Sequence, residues 1–575
     1  MSAPSARSKA ELLKERSRHL RGAIQEELRP AWPGFSKETV QILKFHGVFQ
    51  QADRDARRAG SPPEYSLAVR VAVPGGILSA EQYLAMDRLA DEAADGRLRI
   101  TTRQDVEFHH VRKTDLRPLL SALNETGLST LGGCGDVVRN VVCCPAPGPL
   151  WDQLYGYVRA LSQRFRPQTR AYEELWLDQA PAAGQPAAEQ PAAEYEQLYG
   201  AAYLPRKFKI GIAAAGDNCI DVYTNDMGIV PIYGGRGLEG FTLLAGGGLG
   251  MSPGVRATRP RLADPLCTVE PAQLEQVVEA IVRIHRDCGN RADRRLARLK
   301  YLVADWGIDR FKQELEERLG RTLPPPKPLS WVRADDHLGW HFQTGDLRFM
   351  GIRMLSGQVE DHDGAQLRTG LRAAVERFRP GVRLTPQQNI LLTGLRGADR
   401  APLEALLRCY GIQPAEQLPP VVRHALACPA LPACGLAITE AERVLPAVLR
   451  EIQAELDDLG LGRQPLRVRV AGCANSCARP NTAEIGLVCQ SLDLYGIYLG
   501  GSPMGTRLGF LFAKTVPRTA ISSRLRPVFQ LYRESRQEGE AFGDFCHRRR
   551  ADVLRMEQEA AAQPDPQILT GAIHL

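Results

Sequence analysis

The sequence predicts an internally duplicated fold, two copies of one α/β module with a cofactor pocket between the halves. Three pairs of segments predict it, each at half-chain spacing and in the same order in both halves. VVRNVVCCP at 137–145 matches VVRHALACP at 421–429, sharing Val-Val-Arg, four residues, then Cys-Pro. RITTRQDV at 99–106 matches RLTPQQNI at 383–390, each an Arg-x-Thr strand start followed by a Gln. KFKIGIAAAG at 207–216 aligns with RVRVAGCANS at 467–476, which puts Ala213 opposite Cys473. Chance similarity of short peptides is the competing reading, and three matches in register count against it.

Within each copy the local pattern is that of strands and helices. Lys207-Phe208-Lys209-Ile210 and Arg467-Val468-Arg469-Val470 alternate at period two and predict half-buried strands, with Lys207 and Lys209 on one face. Thr439 and Glu442 have capping-box spacing, and Val444, Leu445, Val448, Leu449, Ile452 and Leu456 follow at helical spacing, so a helix is expected soon after Cys434. Pro446 falls inside that pattern and predicts a kink. The glycine runs at 246–250 and 500–505 lack a phosphate-loop or dinucleotide fingerprint and read as tight turns against a cofactor face. The Ala/Pro-rich stretch 178–197 reads as a surface loop, and 322–328 and 417–420 as linkers.

Composition sets outer limits. With 44% hydrophobic and 24% charged residues the chain is a large globular protein of several domains, and no apolar run is long enough to span a bilayer. The first twenty residues mix Ser and Arg with Glu11 and Glu15 and read as an exposed helix, so the expected compartment is the cytoplasm. A net charge of +7 raises nucleic acid as a partner, but the basic residues are interleaved with acids and form no stripe. Excess cation can instead serve a buried polyanionic cofactor.

Four of the thirteen cysteines stand out: Cys428 and Cys434 with five residues between them, then Cys473 and Cys477 with three. Two such pairs can close on one soft metal centre, and an iron–sulfur cluster fits the spacing. Zinc is the alternative, although its pairs favour gaps of two to four residues. The other nine, including Cys143, Cys144, Cys219 and Cys489, read as buried thiols.

The cysteine pairs, TTRQ, RNVV, LPRKFK, FHGVFQQADRD at 45–55 and AFGDFC at 541–546 together resemble the siroheme-dependent sulfite and nitrite reductase family, from about residue 17 to 552. The resemblance implies an α+β fold: two sulfite/nitrite reductase repeats plus a bridging pair of ferredoxin-like half-domains. The half-domains are expected at 66–132 and 333–413, the first repeat at 133–332 and the second at 414–560. An N-terminal arm, 1–65, is expected to pack with the second repeat, and 561–575 to form a tail.

For the site, the resemblance implies that Cys428, Cys434, Cys473 and Cys477 bind a [4Fe–4S] cluster and that Cys477 also bridges to the iron of siroheme. Arg99, Arg103 and Arg206 match the family's positions for the siroheme carboxylates, with Gln388 and Asn475 as neutral donors. Arg70, Arg139, Lys207 and Lys209 form the anion cage; Arg cannot realistically give up a proton, so the lysines are the proton donors and the arginines hold the anion. Without the resemblance each of these cations reads as a solvated surface group. Two departures are visible: Glu107 where a Gln is usual, and Ala474-Asn475-Ser476 between the last cysteines. His46, His109 and His110 have no partner at metal spacing and read as ordinary hydrogen-bonding residues.

The implied activity is six-electron reduction of sulfite to sulfide, with electrons from a separate flavoprotein or an acidic ferredoxin that the positive charge would steer. A siroheme nitrite reductase, or a cluster protein that only relays electrons, are the alternatives.

Overall fold

The computed structural model describes residues 7–29, 33–55, 64–177, 196–235, 237–362 and 364–562. The Ala/Pro stretch therefore lies outside the described residues up to 195, as does the tail from 563. The chain divides into two units, one made of 1–418 with 432–435, the other of 419–431 with 436–575. Among the described residues no helix is long and apolar enough to cross a membrane.

The first unit holds three five-stranded sheets, two of which share one plan. In the first the order is Val48–Ala52, Tyr65–Val71, Val106–Val111, Leu98–Ile100, Gln358–Val359; in the second it is Gly339–Thr344, Leu347–Ile352, Ile390–Arg396, Gly381–Leu384, Ile77–Leu78. The edge strand of each is borrowed from the other half: Gln358 pairs with Arg99, and Ile77 with Arg383. The matched segments 99–106 and 383–390 thus occupy equivalent strands, and the exchange welds the halves together. Each half packs helices on its sheet, Ala80–Ala93 and Leu116–Glu125 in one, Leu367–Phe378 and Arg400–Cys409 in the other. Ser79 and Gln82 form a capping box at the start of Ala80–Ala93. Arg368 crosses between halves to Asp87 at 2.7 Å and Asp91 at 2.6 Å.

The two glutamines of the matched turns complete the junction. Gln104 donates to Leu384 O at 2.7 Å and accepts from Cys143 N at 2.8 Å, while Gln388 donates to Ile100 O at 3.0 Å and Ser356 O at 3.1 Å. Both are buried in left-handed backbone. Gln104→Ala strands two buried backbone groups, so it should lower unfolding free energy by about 2–4 kcal/mol, read from the urea midpoint.

The third sheet runs Asp264–Val269, Gly237–Ala245, Met227–Gly234, Ile210–Ile212, Val142–Cys143, and its last two pairings are parallel. The second unit repeats this plan as Leu426–Ala427, Val468–Ala471, Ile485–Ser491, Leu494–Leu499, Phe510–Pro517, again with two parallel pairings. Val142–Cys143 and Leu426–Ala427 fall at the same places in the matched peptides, so the duplication is structural.

Local expectations needed two corrections. The helix begins at Leu445, not near Thr439, and runs to Asp458 with Pro446 in its first turn. A proline there forfeits no intrahelical bond, so no kink arises. Thr439 Oγ1 is used instead as an acceptor for Asp493 N at 3.0 Å. Lys207–Lys209 precede rather than form a strand, which begins at Ile210; Phe208 makes one bridge to Val138, and Lys209 N bonds the Asp226 carboxylate at 2.9 Å in place of a strand partner.

Residues of the expected N-terminal arm bond within the first unit. Ser8 N donates to Arg291 O at 3.0 Å, Lys14 Nζ to Leu204 O at 2.7 Å, and Val48–Ala52 is an edge strand beside Tyr65–Val71. His46 is fully buried, between Leu20 O at 2.8 Å and the Trp176 indole N–H at 2.9 Å, a core hydrogen-bonding histidine.

Candidate active site

The first half-domain sheet lays one row of polar residues across neighbouring strands: Arg70 opposite Glu107, Glu107 opposite Arg99, Arg99 opposite Gln358. Directly opposed residues share a face, so the three charges form a stripe. Arg70 Nε lies 2.7 Å from Glu107 Oε1, and its guanidinium stacks over Phe49 at 5.1 Å. His109, two residues along, puts Nε2 at 3.7 Å from the other Glu107 oxygen. Burial by itself would raise the Glu107 carboxyl, but the charges of Arg70 and His109 win and hold it far below the usual carboxylate range.

Glu107 is therefore the counterion of Arg70. Its folded pKa is depressed, so its contribution to stability is present above the unfolded value near 4.3 and is lost as pH falls below it. Glu107→Gln should cost about 3 kcal/mol between pH 5 and 8, where Arg70 loses its partner, and the deficit should shrink below about pH 4; paired urea titrations read the difference.

Arg139 and the two lysines come from adjacent extended segments. Phe208 N donates to Val137 O at 3.0 Å and Arg139 N to Phe208 O at 2.8 Å. Since Val138 and Phe208 are bridged and buried, alternation puts Arg139, Lys207 and Lys209 on the opposite side of this short ladder. The buried thiol of Cys134 reports where they converge: burial would raise it, yet the charges of Arg139, Arg70 and Lys207 lower it. Three of the four expected cage cations thus act on one buried point. Arg139 is aimed by its own Nε, which donates to Gly135 O at 2.7 Å.

A second ring of cations adjoins them, in which Arg206, expected from the sequence, is joined by Arg294, Arg298 and Lys300, which were not. Asp136 takes Arg294 through two bonds of 2.6 and 2.9 Å and stands 3.6 Å from Arg206; Asp226 takes Arg298 at 2.9 and 2.7 Å. Lys300 donates to the carbonyls of Gly248 at 3.0 Å, Gly250 at 2.7 Å and Arg259 at 2.5 Å, so the glycine run 246–250 serves as a turn that receives a buried ammonium. Gly247 permits that turn: a Cβ there would meet the carbonyl oxygens of Tyr223 at 2.2 Å and Asn225 at 2.3 Å.

Cations crowd one another in this ring. Burial and the neighbouring Arg294, Arg298 and Arg139 bring Arg206 down to about 10 despite Asp136. Burial, Arg298, Arg259 and Lys207 bring Lys300 to about 7 against the pull of Asp226. Like charges held together in low dielectric are costly until an anion joins them. The residues present therefore fit a ligand that carries several carboxylates, as siroheme does.

The other residues expected at the cofactor also hold the surrounding structure. Arg103 donates to Asn225 Oδ1 at 2.9 Å, Asn140 O at 2.6 Å and Ile210 O at 3.0 Å, bracing the strands that carry Arg139 and the lysines. Gln388, expected as a donor to the cofactor, commits its amide nitrogen to Ile100 O and Ser356 O, so only its oxygen is left over. Asn475 donates to Cys473 Sγ at 3.6 Å. Arg99 keeps its place in the stripe beside Glu107.

In the second unit, Cys428 and Cys473 follow two adjacent parallel strands, Leu426–Ala427 and Val468–Ala471. Cys428 N donates to Val470 O at 3.2 Å, and Gly472 N donates to Cys428 Sγ at 3.3 Å, so the first thiol sits against the backbone that leads into the second. Gly472 is required there because a Cβ would meet Ala430 Cβ at 2.5 Å and Thr439 O at 2.6 Å. A turn closed by Ser476 N to Cys473 O at 3.3 Å carries the chain to Cys477, which is exposed. Cys434 is half-buried and belongs to the segment grouped with the first unit.

Comparison with known proteins agrees with this architecture. The family description "Nitrite and sulphite reductase 4Fe-4S domain" matches residues 158–323, and "Nitrite/Sulfite reductase ferredoxin-like half domain" matches 61–126 and 342–409. The chain is 41% identical to "Sulfite reductase [ferredoxin]" of Synechococcus elongatus, over 98% of this chain and 93% of that protein. It is 40% identical to "Sulfite reductase [NADPH] hemoprotein beta-component" of Myxococcus xanthus, over 95% and 97%. Its fold matches that of the Mycobacterium tuberculosis NirA protein with a TM-score of 0.79 at 23% identity, covering 96% and 98% of the two chains. With its duplicated half-domains, its repeated sheet and relatives of this identity along its length, the chain belongs to the nitrite and sulfite reductase family with a 4Fe–4S domain.

Proposed function

We propose that the protein reduces sulfite to sulfide, taking electrons from a separate flavoprotein or ferredoxin. The observation that carries the reading is the short ladder that puts Arg139, Lys207 and Lys209 on one side, beside a ring of cations suited to a polycarboxylate. When bound, siroheme and the [4Fe–4S] cluster supply electrons one at a time. Cys428, Cys434, Cys473 and Cys477 would hold the cluster, Cys477 also serving siroheme, which Arg99, Arg103 and Arg206 would meet at its carboxylates, with Gln388 and Asn475 as neutral donors and Arg294 and Arg298 alongside.

The chain's own residues then handle charge and protons. Bisulfite becomes hydrosulfide and three waters by uptake of six electrons and six protons, so each departing oxygen needs both stabilisation and protonation. Arg139 and Arg70 hold the anion, Arg70 with its charge moderated by Glu107. Lys207 and Lys209 donate protons, which the guanidiniums cannot. The division into half-domains 66–132 and 333–413 with repeats 133–332 and 414–560 is part of this proposal.

Anaerobic turnover with reduced methyl viologen tests the reading. Sulfite should yield sulfide with six viologens oxidised per sulfide; ammonia formed from nitrite at higher kcat/KM, with little sulfide from sulfite, would overturn it in favour of a nitrite reductase.

A further inference from the structure

A second cluster of ligand atoms lies in the first unit and shares no residue with the cations or with the four cysteines assigned above. Cys144 Sγ, Asp217 Oδ, Cys219 Sγ and a ring nitrogen of His337 all lie within 4.8 Å of one another, and all four residues are buried. His337 Nε2 is 3.7 Å from Cys144 Sγ and 3.7 Å from Asp217 Oδ2. In a tetrahedral zinc site, bonds of about 2.3 Å to sulfur and 2.0–2.2 Å to nitrogen and oxygen give edges of roughly 3.3–3.8 Å. From this geometry we infer that Cys144, Asp217, Cys219 and His337 form a structural zinc site.

The surroundings are those of a built site. Asp217 Oδ1 is fixed by Cys219 N at 3.0 Å and Asp335 N at 3.1 Å, which leaves Oδ2 turned toward His337. The other ring nitrogen of His337 faces Asp335 Oδ2 at 4.0 Å, and Asp335 Oδ1 accepts the His337 backbone N–H at 2.9 Å. That places a carboxylate near the imidazole's outer nitrogen, where the outer partner of a ligating histidine stands, at a distance too long for a direct hydrogen bond. Arg333 Nε, 3.2 Å from Asp217 Oδ2, offsets the negative charge that two thiolates and a carboxylate leave in excess over Zn²⁺. Around these groups lies an apolar cluster of Val142, Ala146, Ala213, Ala214, Ile220 and Val222, which excludes water.

The donor set selects the metal. Two thiolates with one imidazole in a tetrahedral closed shell suit zinc, whereas calcium and magnesium demand oxygen. Binding releases the two thiol protons and involves no change of oxidation state. Its structural effect is to pin three distant segments: the end of strand Val142–Cys143, the loop after Ile210–Ile212, and the chain entering strand Gly339–Thr344. Backbone bonds already run between the last two, from Arg333 N to Gly216 O at 3.0 Å and from Asn218 N to Arg333 O at 2.9 Å. Gln387 Nε2 donates to Cys219 O, which ties the same loop to the second half-domain.

Elemental analysis and zinc K-edge absorption of the purified holoenzyme test the inference. About one zinc per chain should accompany the iron after dialysis against EDTA, with two sulfurs at about 2.3 Å and two light atoms at about 2.0–2.1 Å. Cys219→Ser and His337→Gln should each lower zinc at least about tenfold while siroheme absorbance is kept. Zinc below about a tenth per chain in the wild type, a four-sulfur shell that places it at the other cysteines, or a Cys144–Cys219 disulfide in trapped peptides would each overturn it. The wild-type measurements decide the question even if the variants do not fold.

Discussion

Cys473→Ser should purify without its cluster and form no measurable sulfide, a loss of more than about a thousandfold, because a hard alkoxide oxygen is a poor substitute for a thiolate on iron–sulfur centres. Cys473 is buried at the end of a strand, its sulfur accepts from Asn475, and the preceding Gly472 N–H points at Cys428 Sγ. Two thiols are thus held by backbone geometry before any metal arrives, and serine would preserve that backbone. Circular dichroism should therefore match the wild type while iron and acid-labile sulfide both fall. Retained cluster and turnover would remove Cys473 from the ligand set.

Lys207→Met should lower sulfite turnover by about 10²–10⁴-fold, the range of a lost general acid, with siroheme absorbance unchanged. The lysine shares its environment with Arg139 and Arg70 around Cys134, so its ammonium stands among groups that concentrate an anion. Lys207→Arg separates charge from proton donation: anion affinity should be largely kept while kcat stays low, since a guanidinium does not give up its proton. A silent Lys207→Met would reduce the lysine to a solvated surface group.

The sequence exposed the duplication more fully than the chemistry. The matched peptides at 137–145 and 421–429 land on equivalent edge strands, and Gln104 and Gln388 occupy equivalent turns because short identities survive where backbone geometry is demanding. The exchange of Ile77–Leu78 and Gln358–Val359 between halves was not legible, since two-residue strands carry no periodic signal. Glu107 looked like an anomaly in the linear text; only the strand register shows it between Arg70 and Arg99. Arg103 and Gln388 also donate to neighbouring protein groups, a bracing role that a motif cannot reveal. The arginines at 294 and 298 lie in a visibly basic run, RADRRLARLK, which could have been read as part of a cofactor pocket. Cys144 and Cys219 read as inert thiols because their partners Asp217 and His337 come from segments with no common spacing.

One chain should carry both a four-iron cluster, on Cys428, Cys434, Cys473 and Cys477, and a siroheme. Iron and acid-labile sulfide analysis of the purified protein, with electron paramagnetic resonance of the oxidised form, tests it most directly. About five irons and about four labile sulfides per chain are expected, with a high-spin ferric signal from the macrocycle. Labile sulfide with no macrocycle signal, or a macrocycle with no labile sulfide, would contradict it.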